Sequence, residues 1–203
     1  MIQKTTLSRS AIVMMVGFIV LFVTGGSRFA IGLVVKPMVD AFGWGRSTLG
    51  LAIALFLTVS ALCLFIAGRL TDKFSARGVL ATGAVVSAVG IGLLSVVSAP
   101  WQVLILYGLV FAVGNGMASL TPVSVMITRW FPGRAGLANG IAVSGMGVGQ
   151  LLMVAILAVV LVQVGWRWVF VGLGLFNLML FPIVLMAVVN TSQERKTADA
   201  PAP

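Results

Sequence analysis

Residues 68–78 read Gly68-Arg69-Leu70-Thr71-Asp72-Lys73-Phe74-Ser75-Ala76-Arg77-Gly78, "GRLTDKFSARG", and place four charged side chains in eleven positions. The chain around them has 203 residues, of which 60% are hydrophobic and only 8% charged. The turn is flanked by long apolar runs, Leu49 to Leu70 before it and Val79 to Val97 after it. A mix this apolar lies outside the range of soluble domains and places the chain in a lipid bilayer. Outward from the turn, further runs of similar length are Ala11 to Val35, Val103 to Thr128, Leu137 to Val164 and Trp168 to Val189. Each is close to the roughly 20 residues a helix needs to cross the hydrocarbon. None alternates apolar and polar residues as barrel strands do. The fold class expected is therefore all-α: six transmembrane helices in one bundle spanning residues 1–190, followed by a polar tail over 191–203. Lys4 and Arg9 before the first run give it the layout of a signal peptide, but five comparable runs follow, and it reads as a retained first span.

The net charge of +9 comes from 13 Lys and Arg against four acidic residues. The cations stand singly or in pairs at the ends of apolar runs, not in a stripe, so they argue for membrane topology and against nucleic-acid binding. With the N-terminus in the cytoplasm, the inner segments hold Lys4, Arg9, Arg69, Lys73, Arg77, Arg129, Arg134, Arg195 and Lys196. The outer segments hold Lys36, Arg46 and Arg167. The excess predicts a multi-pass protein of the cell's inner membrane with both termini, and the opening turn, in the cytoplasm. Trp44, Trp101, Trp130, Trp166 and Trp168 fall near run ends, where indole rings favour the interface. Gly45-Arg46 opens the second span and Gly133-Arg134 the fifth, on opposite sides, as a three-plus-three inverted repeat requires.

Two polar features stand inside spans. Arg28 lies in the first, with Thr24, Gly25 and Gly32 at helical spacing around it. A guanidinium at that depth costs about 2.5–3.5 kcal/mol on insertion scales, so it faces a cavity or a partner. No carboxylate stands in a span to pair with it, which leaves an anionic substrate, a carbonyl, a group outside this chain, or snorkelling to the outer interface. In the fourth span Asn115 sits between Gly114 and Gly116, with Pro122 beyond it. Its amide can bond substrate or another helix, and helix packing is the better-supported use. Gly136, Gly140, Gly145, Gly147 and Gly149 in the fifth span read as close-packing positions, not as a nucleotide loop.

Absences narrow the chemistry. The chain has no histidine and one cysteine, Cys63. Zinc and serine–histidine intramembrane enzymes are excluded, as is a disulfide within the chain. No enzyme, metal or cofactor is expected.

The turn Gly68 to Arg77 resembles the signature between spans 2 and 3 of the major facilitator superfamily. Gly68, Leu70, Asp72, Lys73 and Arg77 match it; Ser75 and Ala76 stand where that family has Gly and Arg. The resemblance implies the N-terminal six-helix half of a secondary transporter that works by alternating access. It implies for Asp72 a gating bridge to neighbouring helices, with Arg129 and Arg134 as partners. Thr128 to Gly149 and Ser27 to Ser47 look like the bacterial branch related to monocarboxylate porters and the oxalate:formate exchanger; with Arg28 inside the first span, the substrate expected is a small organic anion, and Arg28, Thr24 and Asn115 are the candidate binding residues. Drug exporters of the superfamily carry an arginine where Ala112 stands and a proline in span 5, so drug or metabolite efflux is the weaker alternative. The polar tail resembles the linker that joins two six-span halves. Partners expected are the bilayer, a small solute and a second half or another copy; a non-transporting assembly fragment is the remaining alternative.

Overall fold

The computed structural model describes residues 2–131 and 133–188. The polar tail 191–203 with Arg195 and Lys196, and the side chains of Lys4 and Arg9, lie outside the described residues. Six long helices follow one another: α1 Ile2–Phe42, α2 Arg46–Lys73, α3 Ala76–Gly92, α4 Pro100–Trp130 with interruptions, α5 Ala135–Val164 and α6 Trp166–Val188. A single 3-10 turn, Leu93–Val96, extends α3, and no strand occurs among the described residues. All six are long and apolar enough to cross a membrane. Only helices and closed barrels leave no backbone group unpaired in hydrocarbon, so this outcome is what the apolar runs demand.

The helices overrun the apolar stretches that predicted them. α1 continues past Val35 through Pro37 to Phe42, so Lys36 and Asp40 stand in its final turns and not in a loop. Helices end where the backbone is turned, not where hydropathy falls. Gly43 and Gly165 adopt φ of 67° and 86°, a left-handed region that only glycine enters without strain, and they close α1 and α5.

Pairing between helices has a hidden regularity. α1 packs on α5 and α6, α2 packs on α4, and α3 packs on α4 and α6. Exchanging α1 with α4, α2 with α5 and α3 with α6 carries each of these pairs onto another pair that also exists: α1–α5 becomes α4–α2, α1–α6 becomes α4–α3, and α3–α6 becomes itself. Because successive spans alternate in direction, helices three apart run oppositely, and the two triplets are related as inverted repeats.

Close approach of α1 and α5 rests on absent side chains. A Cβ at Gly145 would stand 2.6 Å from the Phe18 carbonyl oxygen, and one at Gly149 would meet the Phe22 carbonyl oxygen closer still. Around the outside, large apolar side chains such as Phe65, Val162 and Met186 are exposed, Val162 at 87%, as a lipid-facing surface requires.

The α1–α5 contact yields a paired prediction. Gly149→Ala must push the two helices apart and destabilise the bundle by about 1–3 kcal/mol. Gly147, where an added Cβ meets nothing within 4 Å, is the control. Thermal unfolding in one detergent should fall for Gly149→Ala and stay unchanged for Gly147→Ala.

Candidate functional site

α4 is the irregular member of the bundle. It begins as α-helix over Pro100–Ile105, widens to a π-helical turn over Leu106–Phe111, returns to α-helix over Ala112–Met117, and restarts at Leu120–Trp130. The break lies at Ala118 (φ −91°, ψ 37°) and Ser119 (φ −95°, ψ −176°). Pro122 explains its position. A proline ring clashes with the carbonyl four residues earlier, which is that of Ala118, and the proline is tolerated because it falls in the first turn of the restarted helix. α3 shields both irregularities with glycines. A Cβ on Gly83 would stand 2.7 Å from the Ala118 amide nitrogen, and one on Gly90 would stand 2.5 Å from that of Phe111.

The other side of the break opens into a cavity of about 480 Å³ between α1, α2 and α4, with Met146 of α5 on its wall. Thr24, Arg28, Ser60, Asn115, Ser119 and Thr121 give it its polar lining. The three residues expected at a substrate site, Thr24, Arg28 and Asn115, are thus brought together. Gly25 joins them, whereas Gly32 does not line the cavity. Arg28 is half-buried, with its guanidinium carbon 5.8 Å from the Phe56 ring centre and 5.3 Å from that of Phe29. α1 runs roughly four turns, about 20 Å, beyond it to Phe42, so Arg28 stands well inside the helix and not at its end.

The backbone around Arg28 is held from α4. Tyr107, the chain's only tyrosine, donates its hydroxyl to the Arg28 carbonyl oxygen at 2.9 Å. Its ring stacks with Phe56 (4.8 Å between centres) and Phe111 (5.4 Å), so the π-helical turn supplies two of the three rings. Thr24 donates its hydroxyl to the Val20 carbonyl within its own helix at 2.8 Å, and Asn115 donates Nδ2 to the Thr24 carbonyl oxygen at 3.2 Å. Asn115 therefore ties α4 to α1 as helix packing requires, while still lining the cavity. Ser60 donates to the Ala112 carbonyl at 3.4 Å, and the hydroxyl of Ser119 is buried with no partner. Ser60, Ser119 and Tyr107 were not legible as site residues; a single hydroxyl in an apolar helix carries no periodic signal.

At one end of the bundle lies the charged turn. α2 ends at Lys73, Ser75 adopts extended backbone and caps α3, its hydroxyl oxygen accepting from the Gly78 amide at 3.1 Å. Thr71, not Asp72, is the buried polar side chain here, its hydroxyl donating to the Ala67 carbonyl at 2.7 Å. Gly68 and Leu70 sit partly buried near α4, a Cβ on Gly68 reaching Thr121 at 3.6 Å, and Lys73 lies 5.5 Å from the Phe74 ring. Asp72, Arg129 and Arg134 are all exposed, Arg77 is half-buried, and among the described residues Asp72 forms no ion pair with either arginine.

The cap gives Ser75 a measurable role. Ser75→Ala should lower stability by about 1 kcal/mol, whereas Ser75→Gly should cost only a few tenths, because glycine is itself a good N-cap. Denaturation of the two variants in parallel checks the order.

The family model of the Major Facilitator Superfamily matches residues 17–202. The chain is 28% identical to the MFS-type transporter pynF of Aspergillus niger over 97% of its own length and 46% of that protein's. It is 28% identical to the uncharacterized MFS-type transporter YcxA of Bacillus subtilis over 68% of this chain and 34% of the relative. With monocarboxylate transporter 10 of Homo sapiens it shares 34% identity over 59% of this chain and 23% of that protein. The chain spans less than half the length of these relatives.

Proposed function

The chain belongs to the Major Facilitator Superfamily, and on that footing we propose that it forms the N-terminal six-helix half of a secondary transporter for a small organic anion, working by alternating access beside a second bundle. One observation carries the substrate class: a half-buried guanidinium, Arg28, on the wall of a cavity in the apolar interior. The described residues of that lining include no carboxylate. A cation at that depth is costly unless an opposite charge meets it, and a transported anion would do so. The aromatic faces of Phe56 and Phe29 lie within cation–π range of the guanidinium, which supports its charge without using its N–H donors. Likeness to a monocarboxylate transporter agrees with this reading.

The same footing supports a cytoplasmic position for the basic end of the bundle, with Arg69, Lys73, Arg77, Arg129 and Arg134, in the cell's inner membrane. Asp72 is the one carboxylate at that end among the described residues. Its exposure in the present conformation is what a latch would have when open: the contact with Arg129 or Arg134 would form in another conformation and bias the equilibrium between them.

Two measurements test this. Counterflow of labelled carboxylates, in proteoliposomes holding the chain with its second bundle, should fall at least about tenfold for Arg28→Gln, the worth of one charge-assisted hydrogen bond; unchanged uptake would remove the anion site. Asp72→Asn should slow the maximal rate while leaving the half-saturating concentration within about twofold, since a latch acts on the conformational step and not on binding. A change confined to half-saturation would contradict the latch.

A further inference from the structure

We infer that Asn115 is a specificity-determining residue: its amide oxygen reads a hydroxyl group carried by the anion near its carboxylate, so the cavity prefers hydroxy acids to their deoxy counterparts. The inference rests on the anion reading of Arg28 and adds a second recognition element to the same cavity.

The orientation of the Asn115 amide is decided by chemistry. Its neighbour is the Thr24 carbonyl oxygen at 3.2 Å, a pure acceptor, so the group facing it must be the N–H donor. Turning the amide over would set two acceptors against each other. Oδ1 is therefore the atom left over, and among the described residues no donor meets it. Asn115 is only 8% exposed, and the space it lines is the cavity. Oδ1 is not among the fully enclosed polar atoms; it is open to the cavity, where a donor supplied by a ligand can meet it. Asn177 shows the contrast: its Oδ1 is also without a partner, but the residue is 0% exposed and lines no part of this cavity.

Placement fixes what kind of ligand fits. Asn115 is tied to the backbone of Thr24, which stands one helical turn from Arg28 on α1, a spacing of about 5–6 Å between side-chain roots. A carboxylate on Arg28 thus holds a neighbouring hydroxyl within reach of Oδ1. Thr24 and Ser60 spend their hydroxyl hydrogens on the Val20 and Ala112 carbonyls, so neither offers a donor to the ligand.

The test measures binding to the chain together with its second bundle, in lipid nanodiscs, by calorimetry, using two matched pairs: propionate with lactate, and 3-phenylpropionate with 3-phenyllactate. The hydroxy member of a pair that binds should be held about five- to tenfold more tightly, the worth of one net hydrogen bond. In Asn115→Leu the ratio should fall to within about twofold of unity while the deoxy acid still binds, a readout that general loosening of α1 from α4 would not produce. If Asn115→Leu does not fold, the wild-type ratio decides alone. Equal wild-type affinities within both pairs overturn the inference. Arg28→Gln separates the two claims: equal affinities that this variant abolishes sink the role of Asn115 and leave the anion site standing, whereas no binding of any of the four acids sinks both.

Discussion

Inside a bilayer every backbone N–H and C=O must find a partner within the protein, and this constraint shapes the whole molecule. It makes all six spans helical. It also decides where irregular backbone is allowed. α4 is broken at Ala118 and Ser119 because Pro122 rejects the Ala118 carbonyl, and such a break facing lipid would leave polar groups without partners. The chain avoids that by pressing Gly83 and Gly90 of α3 against one side of the irregular stretch and turning the other side toward a cavity. The cavity and its polar lining are thus a consequence of how the α4 backbone is accommodated.

Arg28 gains its meaning from the same place. Its carbonyl is anchored by Tyr107 from the π-helical turn, its guanidinium lies over Phe56, and Asn115 fastens the next turn of α1 to α4. These contacts set α1 and α4 in register across the cavity. Most of the polar lining lies on α1 and α4, counterparts of each other in the inverted repeat, with Ser60 added from α2.

Much of this was legible in the sequence, for identifiable reasons. Apolar runs revealed the six spans because hydropathy reports depth in the bilayer. They missed the helix ends, as at Val35 against Phe42, because a helix stops at a turn residue such as Gly43 and not where its side chains become polar. Arg28, Thr24 and Asn115 could be named because polar groups are rare in such spans. Pro122 signalled a disturbance in α4, but its site four residues upstream needed the geometry of the ring clash. Ser119 and the π-helical turn had no signal, since one serine or one extra residue per turn leaves the apolar pattern intact. In the charged turn, Ser75 departs from the family signature yet caps α3, so the departure has a structural use of its own.

The central claim is that an anion occupies the cavity against Arg28. The most direct measurement is modification of the full chain in membranes by an arginine-specific dicarbonyl reagent, quantified residue by residue by mass spectrometry. The account predicts that carboxylates slow modification of Arg28 in a saturable way while Arg69 and Arg167, exposed at the two ends, react at unchanged rates. Modification of Arg28 at the same rate with and without carboxylate would contradict it.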